Sequence, residues 1–183
     1  ATVTGPGPVS LRLPFPELPD MAGKPGRQTE AIIPRDDSGM PEFYREVAVI
    51  ACREEKAGGE TIAAGVTDLS DQMDPRGRLT WEVPEGEWKV TRYVCANTGQ
   101  PLISHTPNSR GPMIDHFSAE ASERHIQFFI QKIGEELGRP VGESGLTYFY
   151  TDSYEVQGQL WTPGMTTEFE KRMGYSMIPY LPV

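Results

Sequence analysis

The sequence predicts an α/β chain that holds the first strands and helices of a (β/α)8 barrel. The segment from about 88 to 174 reads as strand, helix, strand, helix, the order typical of a parallel sheet with crossover helices. Within it, the aromatic run 146–151 ends in Asp152 and Glu155, as a buried barrel strand ends in its catalytic groups. The chain has 183 residues, whereas a complete barrel takes roughly 250. We therefore expect only part of a barrel.

Residues 1–39 are predicted to form an extended arm. Pro and Gly recur along this segment, which disfavours long helices. The apolar side chains Val9, Leu11, Leu13 and Phe15 alternate as they do in a strand. We expect the arm to pair with a sheet edge or to lie in a groove, and disorder is the alternative.

Residues 40–97 are predicted to form a β-rich segment that leads into the barrel. Four strands are predicted, at 43–52, Ile62–Val66, Arg78–Val83 and Trp88–Ala96, with a tight turn at 84–87 between the last two. Cys52 and Cys95 fall in two of these strands, at a spacing that matches no metal motif. They form one disulfide if the strands are neighbours, or remain two buried thiols.

Residues 98–183 are predicted to form the βα units themselves. Ser118 is a suitable N-cap for a first helix, and Gly138 followed by Pro140 ends it. A second helix is expected to start near Thr167, which has capping-box spacing to Glu170, and to end at Gly174. The first helix is indicated by apolar and aromatic side chains at helical intervals: Ala121, His125, Phe128, Phe129, Ile133 and Leu137.

The charge of the chain limits its partners. The net charge is −9 and no basic field exists to neutralise phosphates, so nucleic acid and anionic membranes are not expected as partners. Neutral or cationic substrates fit better. No run of about 18 apolar residues is present, so no membrane-spanning helix is predicted.

Glu155 is the first candidate for a catalytic residue. A carboxylic acid in an aromatic, partly desolvated setting has a raised pKa and can donate a proton near neutral pH. Trp161, six positions later, offers a flat apolar face that can stack on a sugar ring. The alternatives are that Asp152 caps the next turn, that Glu155 is solvated and that Trp161 anchors a loop.

Asp115 is the second acidic candidate. It lies in the loop before the first helix, and it could ligate a metal, contact substrate hydroxyls or cap the helix. A serine nucleophile is poorly supported because Ser153 lacks a Gly-x-Ser-x-Gly elbow, and no phosphate-binding glycine loop follows a strand. The three histidines stand at intervals that do not suit a zinc site.

Several segments together resemble the α-L-rhamnosidases of glycoside hydrolase family 106. The resemblance covers most of the chain from about residue 5. It is strongest in Tyr150–Glu155, Trp161-Thr162, Glu168–Tyr175 and Pro179–Pro182. Upstream it includes Phe43–Ala51, Leu79-Thr80-Trp81, Pro84–Trp88 and Gly111–Ala121.

The resemblance implies an inverting hydrolase on a (β/α)8 barrel that uses two carboxylates and calcium. Glu155 would be the general acid, with Asp115, Asp152 and Trp161 as substrate or metal contacts. A base would stand roughly 6.5–9.5 Å from the acid. Since the chain stops at Val183, we expect the base and much of the calcium site to lie on the remainder of a longer polypeptide, and the isolated chain to be inactive.

The family also implies a carbohydrate substrate and a periplasmic or secreted location. Two alternative functions remain at this point. One is a non-catalytic carbohydrate-binding β module whose Trp81, Trp88 and Trp161 hold sugar without cleaving it. The other is a purely structural segment that supports the rest of an enzyme.

Overall fold

The computed structural model describes residues 1–18, 33–57, 60–99, 107–108, 111–143, 145–150 and 161–182. The chain divides into two units. A sheet unit comprises Ala1–Pro19, Pro41–Ala96 and Pro163–Val183, and a second unit comprises Asp20–Met40 and Asn97–Thr162. The predicted boundaries at residues 39 and 97 remain a prediction.

Four strands and a short C-terminal helix make up most of the sheet unit. The strands are β1 (Thr2–Arg12), β2 (Tyr44–Ala57), β3 (Glu60–Asp68) and β4 (Arg78–Ala96), in the order β1-β4-β2-β3. All three pairings are antiparallel. Two 3-10 turns, Ser70–Gln72 and Ile178–Tyr180, belong to the same unit, as does the helix α2 (Met165–Met173). The second unit contains the helix α1 (Ala119–Leu137).

The predicted (β/α)8 barrel and mixed α/β class are wrong for the part of the chain that the structure describes. Its strands form one antiparallel sheet, and residues 146–150, predicted as a buried parallel strand, form no strand. Tyr148 and Tyr150 are 78% and 80% exposed. A parallel strand needs neighbours that pair with its backbone and cover its faces, and the described strands pair with one another instead.

The strand expected from the alternating arm is confirmed. β1 pairs with β4 from Thr2 opposite Lys89 to Arg12 opposite Arg78. Its alternate side chains are partly buried, and Val3, Val9 and Leu11 pack against the core. The strand prediction at 43–52 is likewise confirmed by β2, whose residues 48–52 are buried on both faces.

The tight turn predicted at 84–87 is wrong, because β4 continues through it. Opposite this point, Gly5 pairs with Gly86 and Gly7 pairs with Val83, so β4 carries an extra residue and forms a bulge. A Cβ on Gly5 would lie 2.0 Å from the Pro84 carbonyl oxygen, so only glycine allows this approach. Trp88 Nε1 donates to the same oxygen at 3.2 Å.

The bulge also changes which residues of β4 face the core. Before it, Leu79, Trp81 and Val83 are buried, and after it Trp88 and Val90 are buried. The alternation therefore moves by one position. The rings of Trp81 and Trp88 meet edge to face, with centroids 5.5 Å apart. One continuous strand thus places both tryptophans in a single core, together with Leu13, Val49, Ala51 and Leu69.

The first predicted helix is confirmed at both ends. Ser118 precedes α1, and its Oγ accepts the amide of Ala121 at 3.2 Å. Gly138 ends it in the left-handed conformation at φ 65°. The second helix starts two residues earlier than predicted, after Gly164, with no side-chain cap bond, and it ends at Gly174 as expected.

The two cysteines do not bond to each other. Cys52 lies opposite Lys89, whereas Cys95 lies opposite Arg45 on the same pair of strands. At about 3.3 Å per residue this separates them far beyond the roughly 7 Å that a disulfide allows between Cα atoms. Both are buried thiols. No helix within the described ranges is long and apolar enough to cross a bilayer.

Candidate functional site

Asp115 joins two separate parts of the second unit. Its Oδ1 accepts the amide of Phe117 at 2.9 Å, and its carbonyl oxygen accepts the amide of Ser118 at 3.1 Å. Its Oδ2 accepts the hydroxyl of Thr162 at 2.5 Å. Both carboxylate oxygens are therefore engaged, one in the turn that leads into α1 and one across 47 positions of sequence.

These contacts make Asp115 part of the turn that leads into α1, but not the N-cap of that helix. The Oδ1 bond to an amide two residues later is the side-chain turn that aspartate often makes before a helix. Ser118, rather than Asp115, then caps α1 itself. A carboxylate with both oxygens occupied contacts a sugar or a metal only by sharing or replacing these bonds.

Thr162 was not among the residues predicted for the site. It is half-buried, and Trp161 beside it is half-buried as well. The pair Trp161-Thr162 belongs to the segments that carry the family resemblance, but no local pattern predicts a bond to a residue so distant in sequence. Through Thr162, the chain seven positions after Glu155 is tied to the start of α1.

Asp152 and Glu155 lie outside the described residues, so their roles stay predictions. Of the four predicted site residues, the structure describes Asp115 and Trp161. The aromatic stretch that precedes Asp152 is exposed at Tyr148, Phe149 and Tyr150. The expectation that this stretch is buried is therefore wrong up to residue 150.

Two of the three tryptophans that the alternative carbohydrate-binding module would use are not available to bind sugar. Trp81 and Trp88 are each only 6% exposed and pack against each other in the core. A ring that is enclosed on both faces cannot stack on a sugar. Trp161 alone remains available for that role.

The described residues do not bring together enough acidic, histidine or cysteine side chains to hold a calcium ion by themselves. No group of three or more His, Cys, Asp or Glu side chains converges there, although calcium takes six to eight oxygen ligands. Asp152 and Glu155 lie outside the described residues. Calcium therefore stays an expectation that the resemblance alone supports.

Comparison with known proteins places the chain among the glycoside hydrolases. The profile of glycoside hydrolase family 106, described as alpha-L-rhamnosidase, matches residues 55–183. The chain belongs to that family, which confirms the resemblance seen in the sequence.

A relative from Formosa agariphila carries a provisional beta-glucuronidase name. It is 34% identical over 117 residues, which are 64% of this chain and 10% of the relative. The chain thus matches about a tenth of that protein's length. No solved structure matches the chain.

Proposed function

We propose that the chain is part of a longer enzyme that hydrolyses α-L-rhamnosidic bonds with inversion, and that Glu155 is its general acid. The observation that carries this proposal is the family match, which runs from 55 to 183 and so includes Glu155, Asp152, Asp115 and Trp161. The match covers only 10% of the Formosa agariphila relative, and this supports the proposal that the enzyme contains further residues beyond this chain.

In the proposed mechanism Glu155 gives its proton to the departing glycosidic oxygen. A second carboxylate, on the remainder of the polypeptide, activates a water on the opposite face of the sugar, and inversion needs roughly 6.5–9.5 Å between the two carboxyl groups. An acid must also be held within hydrogen-bond reach of the oxygen that it protonates.

The bond between Thr162 and Asp115 supports a positioning role in this scheme. It anchors the chain that follows Glu155 to the turn before α1, with both partners half-buried. We infer that Asp115 acts through this anchor, that Asp152 and Trp161 contact the sugar, and that the enzyme works outside the cytoplasm. Calcium is proposed as a cofactor of the longer enzyme, and no step above uses it.

A second specificity has one observation in its favour. The relative from Formosa agariphila carries a beta-glucuronidase name, so a glucuronide substrate is the rival within the same class. A glucuronide bears a carboxylate, and the chain itself carries a net charge of −9. The negative chain would repel the carboxylate of a glucuronide, and this repulsion favours the neutral rhamnoside.

The test is a side-by-side assay of the natural full-length protein with an aryl α-L-rhamnoside and an aryl β-D-glucuronide. We expect release of the aryl group from the rhamnoside, with the β anomer of rhamnose appearing first by NMR. Hydrolysis of the glucuronide alone would overturn the specificity, and an α anomer first would overturn inversion. Strong activity of the 183-residue chain by itself would show that the second carboxylate lies within it.

Addition of a chelator to the full-length protein tests the metal. We expect activity to fall and to return with Ca²⁺ but not with Mg²⁺, because Mg²⁺ demands a tighter octahedral site. Activity that is indifferent to the chelator would remove calcium from the proposal.

A further inference from the structure

A groove of about 440 Å³ lies beside β2 in the sheet unit. β3 pairs with β2 from Ile50 to Ala57. Immediately before that pairing, β2 runs next to the 3-10 turn at Ser70–Gln72. The amide of Val49 donates to Ser70 Oγ at 3.0 Å, and the carbonyl of Val49 accepts the amide of Leu69 at 2.7 Å. The groove opens between the first half of β2 and the chain that follows this turn.

Tyr44 is one of the residues that line the groove, and its ring is held by a neighbouring ring. Tyr44 is half-buried. Its ring meets that of Phe15 edge to face, with centroids 5.1 Å apart. The guanidinium of Arg92 lies 5.7 Å from the centre of the Phe15 ring, a cation–π distance that helps to hold Phe15 in place. A fixed aromatic ring suits the C–H face of a pyranose, because little side-chain entropy is lost on binding.

Two carboxylates on the rim are also fixed. Asp74 Oδ1 accepts the amides of Arg76 and Arg78 at 2.8 and 2.9 Å, which sets the direction of the side chain. Glu46 is held by Arg92, whose Nε donates to Glu46 Oε2 at 3.1 Å. Arg92 Nη2 also donates to Glu46 Oε1, so both oxygens of Glu46 are engaged. Because each carboxylate has about four lone-pair sites, Asp74 and Glu46 can accept ligand hydroxyls by sharing oxygens that already receive these bonds.

The charge of the rim selects among possible ligands. Glu46 pairs with Arg92 and the charges of Arg76 and Arg78 act on Asp74, but an anionic sugar would still have to bring its own carboxylate against these two acceptors, which repel it. A neutral sugar presents hydroxyl donors and meets no such repulsion. The volume of about 440 Å³ falls within the range of roughly 300–1,000 Å³ that is usual for ligand sites.

We propose that this groove is an accessory subsite that binds a neutral pyranose unit of the glycan substrate. The proposal rests on the carbohydrate substrate of the family and not on the rhamnosidase specificity or on Glu155. Tyr44 would pack on the sugar ring, while Asp74 and Glu46 would accept its hydroxyls. The sheet unit would then hold a part of the glycan that is not itself cleaved.

The test is ligand-observed NMR titration of the 183-residue chain with methyl α-L-rhamnopyranoside, compared with methyl β-D-glucuronide. Tyr44→Leu removes the ring but keeps apolar volume. Asp74→Asn removes the charge but keeps an oxygen for the two amides. Tyr175→Leu and Asp71→Asn are matched controls, because both residues are exposed in the same unit and do not line the groove.

We expect the neutral probe to bind and Tyr44→Leu to weaken binding at least about fivefold, the scale of one lost stacking contact. Asp74→Asn is expected to weaken it by a similar factor, and both controls to leave it unchanged. Failure of this titration overturns the subsite alone, because the catalytic proposal is tested by hydrolysis in the full-length protein. Absence of binding, equal effects of groove variants and controls, or preference for the glucuronide would overturn the subsite. If Tyr44→Leu does not fold by circular dichroism, Asp74→Asn decides.

Discussion

The sheet unit and the second unit differ in how completely their apolar side chains are buried. In the sheet unit Ile50, Leu69 and Leu79 are entirely enclosed. In the second unit α1 contains no buried residue, and Phe128 on that helix is 57% exposed. A helix can thus be specified locally by its caps and its periodicity, whereas burial requires a surface that faces it.

The largest difference between the two units is expected for a pair of leucines. Leu79→Ala in β4 should lower the free energy of unfolding by about 2–5 kcal/mol, since it removes an enclosed side chain and leaves a cavity. Leu137→Ala, at a site 46% exposed, should change it by no more than about 0.5 kcal/mol. Urea denaturation followed by tryptophan fluorescence measures both. Equal losses would show that the two leucines are similarly enclosed.

The next effect concerns the start of α1. Ser118→Ala removes the bond to the Ala121 amide and should destabilise the helix by about 1 kcal/mol. Ser122→Ala, inside the same helix, is the matched control and should be neutral or slightly favourable. Far-UV circular dichroism during thermal unfolding reports the helix. If both variants behave alike, the cap contributes nothing to α1.

A smaller effect is expected at the anchor in the second unit. Thr162→Val removes the hydroxyl that donates to Asp115 and should cost about 0.5–1.5 kcal/mol. The amide of Phe117, which Asp115 also accepts, should then exchange with solvent faster. Thr167→Val, at an exposed position of α2, serves as the control. Unchanged exchange at Phe117 would show that the anchor does not hold the turn.

The smallest expected effect is a lowered glutamate pKa, which should be found in both units. In α2 a hydrogen bond from Arg172 lowers the pKa of Glu168, and in α1 a hydrogen bond from Lys132 lowers the pKa of Glu135. A carboxyl with a lowered pKa stabilises the folded state above its ordinary pKa of 4.5, and this is lost as pH falls through the lowered value.

NMR titration of both glutamates checks this expectation. Both side chains are exposed, so 1 M salt should bring each titration back toward the ordinary pKa. A titration of either group above 4.5 would contradict the sign of its shift.

The sequence predictions succeeded where a signal acts on neighbouring backbone and failed where distant pairing decides the structure, in both units. Local signals were sufficient for α1, because Ser118 and Gly138 act on the backbone next to them. They were also sufficient for β2, whose apolar run 48–52 is buried. They failed at 84–87, where Pro84 and Gly86 are typical of a turn. There the pairing with β1 holds the chain as a bulged strand.

The failures in the second unit have a different physical cause. The aromatic run before Asp152 has the composition of a buried strand, but a strand also requires partners for its backbone, and composition does not supply them. The bond between Asp115 and Thr162 spans 47 positions, and no spacing rule predicts it. The family resemblance succeeded because it depends on a whole set of segments rather than on one local pattern.

Glu155→Gln in the proposed longer enzyme tests whether Glu155 protonates the leaving group. The rate should be measured on an aryl rhamnoside with an activated leaving group and on a natural disaccharide, with Glu170→Gln as the control. We predict that Glu155→Gln abolishes cleavage of the disaccharide, spares the activated substrate much more, and that Glu170→Gln changes neither. An equal loss on both substrates would contradict the acid role.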